Sequence, residues 1–251
     1  TGNKKYIKII ENSVFNAYFG AINNERQTMK DSWGNVWIGD DCIHDEHGPF
    51  PFDSYSPIQN TRRGRQVAGY MKLQDGKSYG CCAAIGSFGF GIYGDTIVNK
   101  INNDIVINLF DKIVFKTILN EKKLTIDMNA NPFKGNKISI KISSEPQTFN
   151  MKIRIPEWME NVKVFIDSKE INFDLINDYL IINKNWTKNT ILIKYKCKIN
   201  SIYINEKVAF KRGPIVLASD VRLNKDNNVE GIRLNSKATK YKFHNAENKL
   251  F

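Results

Sequence analysis

Lys137-Ile138-Ser139-Ile140-Lys141-Ile142-Ser143 alternates isoleucine with a polar residue without a break, and Met151, Ile153 and Ile155 repeat the pattern shortly after. A period of two places every second side chain on one face of a pleated strand, so this stretch reads as a half-buried β-strand rather than a helix. Similar short runs surround it: Ile105 to Phe110, Ile113 to Leu119, Leu124 to Met128, Asn150 to Ile155, Val162 to Asp167, Tyr179 to Asn183, Thr190 to Tyr195 and Val208 to Arg212. Turn-forming segments such as Pro132 to Gly135 and Asn183 to Asn185 separate them at the spacing expected of an antiparallel β-sandwich.

Upstream of Asp104 the pattern changes. Ile7, Ile10, Val14 and Tyr18 fall at helical spacing, widened by Phe15, Phe19 and Ile22, and predict an amphipathic helix over Tyr6 to Ile22. Few matching helices follow it, as if the chain were entered midway through a layer of helices. Residues 23 to 80 are polar and rich in Gly, Pro and Asp, and read as long loops. A second helix is expected over Ala83 to Val98, where Ile85, Phe88, Ile92 and Tyr93 repeat at three and four. Its four glycines each cost about 1 kcal/mol in a helix, so close packing has to offset them. The boundary between the two regions falls near residue 100, and the tail after Leu223 is polar.

With 41% hydrophobic and 12% aromatic residues, 251 residues can bury a substantial core. The surplus of 37 basic over 26 acidic residues gives a formal charge of +11, but the lysines are scattered along the chain with no run of five like charges. Nucleic-acid binding requires clustered cations and stacking aromatics, and is not expected. No apolar run reaches the roughly 18 residues of a membrane span, and no signal-peptide pattern opens the chain. The four cysteines do not form a disulfide framework. Two are adjacent, which disfavours a mutual bridge, so reduced thiols and a cytoplasmic location are favoured.

The candidate chemistry lies in Tyr79-Gly80-Cys81-Cys82, between a loop and the start of the second helix. Amide groups at a helix start favour thiolate, the form that acts as nucleophile and metal ligand. A vicinal pair of buried small residues is the plainer alternative. Cys42, His44 and His47 have spacing compatible with metal ligation, but in a polar loop beside Asp40, Asp41, Asp45 and Glu46 they read as solvated side chains. Trp158 and Trp186 read as core, and Cys197 as a buried small residue.

Several segments in order resemble glycoside hydrolase family 127, the β-L-arabinofuranosidases. They are Thr1-Gly2-Asn3 through Ile10-Glu11-Asn12 to Asn16-Ala17; Tyr55-Ser56-Pro57-Ile58; Cys81-Cys82 before a glycine-rich helix; Asp104 to Phe110; Arg154-Ile155-Pro156-Glu157-Trp158; and Arg212-Gly213-Pro214. The resemblance implies a mixed α and β fold. Residues 1–100 would be the C-terminal portion of a helical (α/α)6-type catalytic barrel, 101–223 an antiparallel β-sandwich, and 224–251 a polar tail or extra strands. It further implies a retaining glycosidase acting on arabinose-containing glycan, with Cys81 as nucleophile, Cys81 and Cys82 as zinc ligands and Tyr55 against the sugar. The family's glutamate and cysteine zinc ligands and its acid/base glutamate precede the threonine-glycine segment, so the set expected within these residues is incomplete. Ile85 and Phe88 stand where the family often has asparagine and arginine. A non-catalytic carbohydrate-binding or scaffolding fragment is the alternative expectation.

Overall fold

The computed structural model describes residues 4–19, 70–72, 78–204 and 207–217. Two compact units divide the chain: Thr1–Gly20 with Phe88–Leu217, and Ala21–Ser87 with Ala218–Phe251. Among the described residues, the second unit holds β1 (Tyr70–Lys72), β2 (Ser78–Gly80) and the start of α2 (Cys81–Ile97).

The first unit is dominated by one nine-stranded sheet. Its centre is a pair of long antiparallel strands, β7 (Lys137–Arg154) and β11 (Tyr179–Cys197). One half of this ribbon is flanked by β6 (Lys122–Ala130) and β5 (Ile113–Leu119) on one side, and by β8 (Met159–Ile166) and β9 (Lys169–Ile171) on the other. The other half is flanked by β4 (Asp104–Ile107) and β3 (Val98–Ile101), and by β10 (Leu175–Ile176). The sheet is not antiparallel throughout, because β4 runs parallel to β7. A separate three-stranded sheet is formed by β12 (Ile199–Ile204), β13 (Lys207–Arg212) and β14 (Ile215–Leu217).

Four of the strands expected from the sequence therefore merge into two. In β7 the buried residues are Ile138, Ile140 and Ile142, then Phe149, Met151 and Ile153; in β11 they are Leu180, Ile182 and Trp186, then Ile191, Ile193 and Tyr195. The odd-even phase changes once in each strand, where the pairing slips between Trp186 and Lys188. Extra residues at Ser144-Glu145-Pro146 reset the alternation, so opposed pairs such as Ile140 with Ile191 and Met151 with Ile182 stay inward on both sides of the irregularity. Such bulges bend strands, and side chains from both halves enter a single core. Asn183 to Asn185 is not a turn: Asn183 pairs with Asn150, whose amide donates in turn to Asp104 at 2.9 Å.

Three hairpins close with two residues of positive φ, Asn120-Glu121, Asp167-Ser168 and Asn177-Asp178. Positive φ at both positions matches the right-handed twist of the flanking strands. None of these turns contains glycine, which is why the short β9 and β10 escape a reading based on glycine and proline. Pro132 to Gly135 does form a turn, capped by the Asn131 side chain accepting from the amides of Phe133 and Lys134.

Helix is confined, among the described residues, to α1 (Lys4–Asn12), a π-helical continuation over Ser13–Tyr18, and α2. No described helix is long and apolar enough to cross a membrane. In α2 the inward face is Gly89, Tyr93 and Ile97, whereas Phe88 and Ile92 of the expected stripe are 71% and 51% exposed. The close packing that glycine permits is found at Gly89, where a Cβ would lie 2.6 Å from the Tyr18 ring.

Trp186 is fully buried and donates its indole N–H to the Phe149 carbonyl at 3.0 Å, bracing the bulge. Trp186→Phe should lower stability by about 1–3 kcal/mol, because it leaves that carbonyl unpaired; urea unfolding measures the loss. Lys152 lies 2.6 Å from Asp104 and, with the Asn150 amide, holds its carboxyl below the usual carboxylate range. A depressed folded pKa stabilises above the unfolded value and is lost as pH falls through the folded one. Melting temperature should therefore decline below about pH 4, and Asp104→Asn should make that decline shallower.

Candidate functional site

Four of the six signature segments read from the sequence converge, in the first unit, where α1 meets the sheet. Glu11 sits four residues from Ile7 and four from Phe15, in the middle of the apolar stripe of α1, and is 2% exposed. Arg154, at the end of β7, is also buried and donates to both carboxylate oxygens, Nη1 to Oε1 at 2.9 Å and Nη2 to Oε2 at 3.1 Å. The Trp158 indole N–H reaches Oε2 at 3.3 Å. A buried charge is tolerated only when paired and hydrogen-bonded, and here each buried oxygen has a donor.

The network extends from this pair. Arg154 Nη1 also approaches the Asn108 carbonyl at 3.3 Å, while the Asn108 side chain accepts from Tyr179 Oη at 2.6 Å and donates to Asn99 at 2.9 Å. On the other side, Lys211 donates to the Asn12 side chain. Asn16 donates to the Pro214 carbonyl at 2.9 Å and accepts from the Val216 amide at 2.7 Å. Gly213 has φ +56°, and a Cβ there would meet Cys197 Sγ at 2.8 Å and the Trp158 ring at 3.2 Å, so glycine alone fits. Thus Glu11-Asn12 and Asn16, Arg154 to Trp158, and Lys211 to Pro214 form one clasp.

A cleft of about 310 Å³ opens beside the clasp, lined by Lys5, Lys8, Glu157, Asp178 and Lys211 as well as the central pair. Lys8 binds Glu157 at 2.6 Å on the exposed rim and holds its carboxyl below the ordinary range. Burial lowers the Lys211 ammonium, partly opposed by Glu11. Burial raises the Cys197 thiol; this residue is half-buried against Gly213, and Trp158 and Trp186 lie in the core as expected. Because its buried charges are already satisfied by one another, the clasp is built to hold elements together rather than to react.

The cysteine pair has a different setting. Cys81 and Cys82 are the first residues of α2, directly after β2, whose partner β1 pairs Tyr70 with Gly80. The sequence reading places them between a loop and a helix starting at Ala83; a short strand stands in place of the loop, and the helix starts two residues earlier. Tyr55, Cys42, His44, His47, Asp40, Asp41, Asp45 and Glu46 lie outside the described residues. Among the described residues, no group of three or more His, Cys, Asp or Glu side chains could hold a metal ion. Cys81 and Cys82 are of the right chemistry for zinc, but two sulfurs supply half of a tetrahedral set.

A family model for the middle domain of GH127 β-L-arabinofuranosidases matches residues 104–196. Similar solved structures include a GH127 β-L-arabinofuranosidase from Geobacillus stearothermophilus T6, at 17% identity and TM-score 0.57 over 86% of this chain and 33% of that one. Another, described as a glycoside hydrolase, matches at 16% identity and TM-score 0.59 over 86% of this chain and 34% of that one. At these identities the likeness is one of fold, and the chain spans about a third of the length of these structures. A comparison with curated proteins returned no match. The family resemblance drawn from the motifs is therefore borne out by residues 104–196, which include Arg154 to Trp158.

Breaking the clasp on one side should be costly. Glu11→Ala is expected to destabilise by about 3–5 kcal/mol because it strands a buried guanidinium, whereas Glu11→Leu with Arg154→Met should cost less than either single change. Glu157→Ala, on the exposed rim, should cost less than about 1 kcal/mol. Denaturant melts of the five variants, Glu11→Ala, Glu11→Leu, Arg154→Met, their double Glu11→Leu with Arg154→Met, and Glu157→Ala, give the comparison.

Proposed function

We propose that this chain is part of a glycoside hydrolase of the family 127 type, which cleaves a furanoside in arabinose-containing glycan. The match of residues 104–196 to that family's middle domain carries the reading. In it, α1 and α2 are pieces of a helical catalytic barrel, the large sheet forms the accompanying β-sandwich, and the exposed Phe88 and Ile92 face of α2 is covered by further helices of that layer.

Cys81, at the start of α2, is the proposed nucleophile. The first N–H groups of a helix lack intrahelical acceptors and favour negative charge beside them, which suits a thiolate poised for attack. Attack of its sulfur on the anomeric carbon breaks the glycosidic bond and forms a thioglycosyl intermediate, and the departing oxygen takes a proton from a carboxylic acid. Water then releases the sugar from sulfur with retention, so that one difficult displacement becomes two easier ones. Cys81 and Cys82 would also hold zinc, in company with ligands outside the described residues; when bound, zinc would keep both sulfurs deprotonated at neutral pH. Tyr55 is the proposed sugar contact.

A furanose-shaped electrophile, such as a bromoacetamido arabinofuranoside, tests this reading by peptide mass spectrometry. Labelling should concentrate on Cys81, and Cys81→Ala should lower hydrolysis of an aryl arabinofuranoside by about a thousandfold or more. Labelling spread evenly over Cys42, Cys81, Cys82 and Cys197 would refute the nucleophile assignment and favour a non-catalytic carbohydrate-binding role.

A further inference from the structure

Lysines that are dispersed along the sequence are brought together by strand register. Lys194 on β11 lies directly opposite Lys137 on β7 and, on its other side, Lys163 on β8. All three are exposed on the outward face of the sheet. Side chains opposed in this way have Cβ atoms about 4.5–5.5 Å apart, and like charges at that separation destabilise the sheet. Their compensation within the protein is slight. The Lys194 ammonium sits 5.1 Å from the centre of the Phe165 ring, and Lys163 approaches Glu170 at 3.5 Å with both side chains at least half exposed.

The surrounding face extends the positive field. Lys141 stands opposite exposed Thr190, Lys188 opposite exposed Ser143, and Lys116 projects from the edge strand β5; Asp127, opposite Lys141, offsets part of this charge. We propose that this sheet face binds a polysaccharide bearing carboxylates. The choice of a carbohydrate polymer rests on the glycosidase reading above, although the binding itself needs no hydrolysis. Three ammonium groups, one per strand at about 4.8 Å intervals, present a repeat of the same order as one sugar ring along a chain. Lysine supplies compact point charges that attract anionic groups without fixing their orientation, which suits a flexible polymer. The aromatic ring on this face, Phe165, is half-buried and lies beneath the Lys194 ammonium, so it offers no platform for stacked bases.

The full 251-residue chain should be tested with sodium polygalacturonate, neutral arabinan and single-stranded polyuridylate by affinity electrophoresis and calorimetry. Polygalacturonate is expected to bind, with Kd rising about tenfold or more between 50 and 200 mM salt, as release of about three counterions requires. Replacing Lys137, Lys163 and Lys194 by Gln should weaken that binding about tenfold, as loss of about three charge contacts implies, without lowering the melting temperature. Removing Lys5, Lys100 and Lys112, exposed residues of α1, of β3 and of the segment before β5 that do not pair with the row in register, instead subtracts the same net charge and should change Kd less than about threefold. Equal losses in the two triple variants, an unchanged Kd in the first, or tighter binding of polyuridylate than of polygalacturonate would overturn the proposal. Cys81→Ala separates the two readings: it should abolish labelling by the furanose-shaped electrophile while leaving polygalacturonate affinity intact. A chain that binds in this manner but whose Cys81 is not labelled by the furanose-shaped electrophile refutes the glycosidase reading alone.

Discussion

Glu11 and Arg154 are both withdrawn from water, and each is tolerable there only because of the other. That mutual requirement fixes α1 against the end of β7 with little freedom of register. A shift of α1 by one residue would turn Glu11 off the buried face and leave the guanidinium facing an apolar wall. The paired planes accept two parallel hydrogen bonds in one geometry, so the contact specifies orientation as well as proximity. Asn12 and Asn16 reach Lys211, Pro214 and Val216 from the same helix, and therefore inherit their alignment from the central pair.

This constraint explains why residues far apart in sequence form recognisable signatures. Arginine and tryptophan in Arg154 to Trp158 both serve Glu11, and the glycine of Arg212 to Pro214 leaves room for the Trp158 ring. Each signature is one side of a contact whose other side lies elsewhere in the chain. The signal for the clasp was present in the sequence as a single acid, Glu11, interrupting an apolar stripe between Ile7 and Phe15. What one chain read alone could not supply was its partner, since Arg154 lies 143 residues away.

The strands were legible wherever alternation was unbroken. Ile113 to Leu119 has the bounds of β5, and Lys137 to Ser143 falls within β7. The reading failed at the centre of the ribbon, where Asn183 to Asn185 and Ser144 to Pro146 imitate turns. There Asn183, Asn185, Glu145 and Pro146 are exposed and the bulge resets the alternation, so continuity depends on cross-strand pairing that local composition does not encode. The cysteine pair was read as lying just before a helix, from the apolar run that follows it; the short strand ahead of it, only three residues long, was missed. Tyr55, Cys42, His44 and His47 lie outside the described residues, and the sequence around them carries no comparable periodic signal.

The charge distribution shows the same limit from the opposite direction. Counted along the chain, the lysines have no cluster, and a surplus of +11 points to no particular partner. Register is a rule of period two in each strand combined with an alignment between strands, and the alignment is set by the buried residues. Ile193 opposite Ile138 and Val164 fixes the inward row, and the next residue along β11 is then obliged to stand beside Lys137 and Lys163. The apolar core thus dictates which outward charges become neighbours, and a change of inward packing that slipped β11 so that Leu192 stood between Lys137 and Lys163 would dissolve the lysine row while preserving every residue in it.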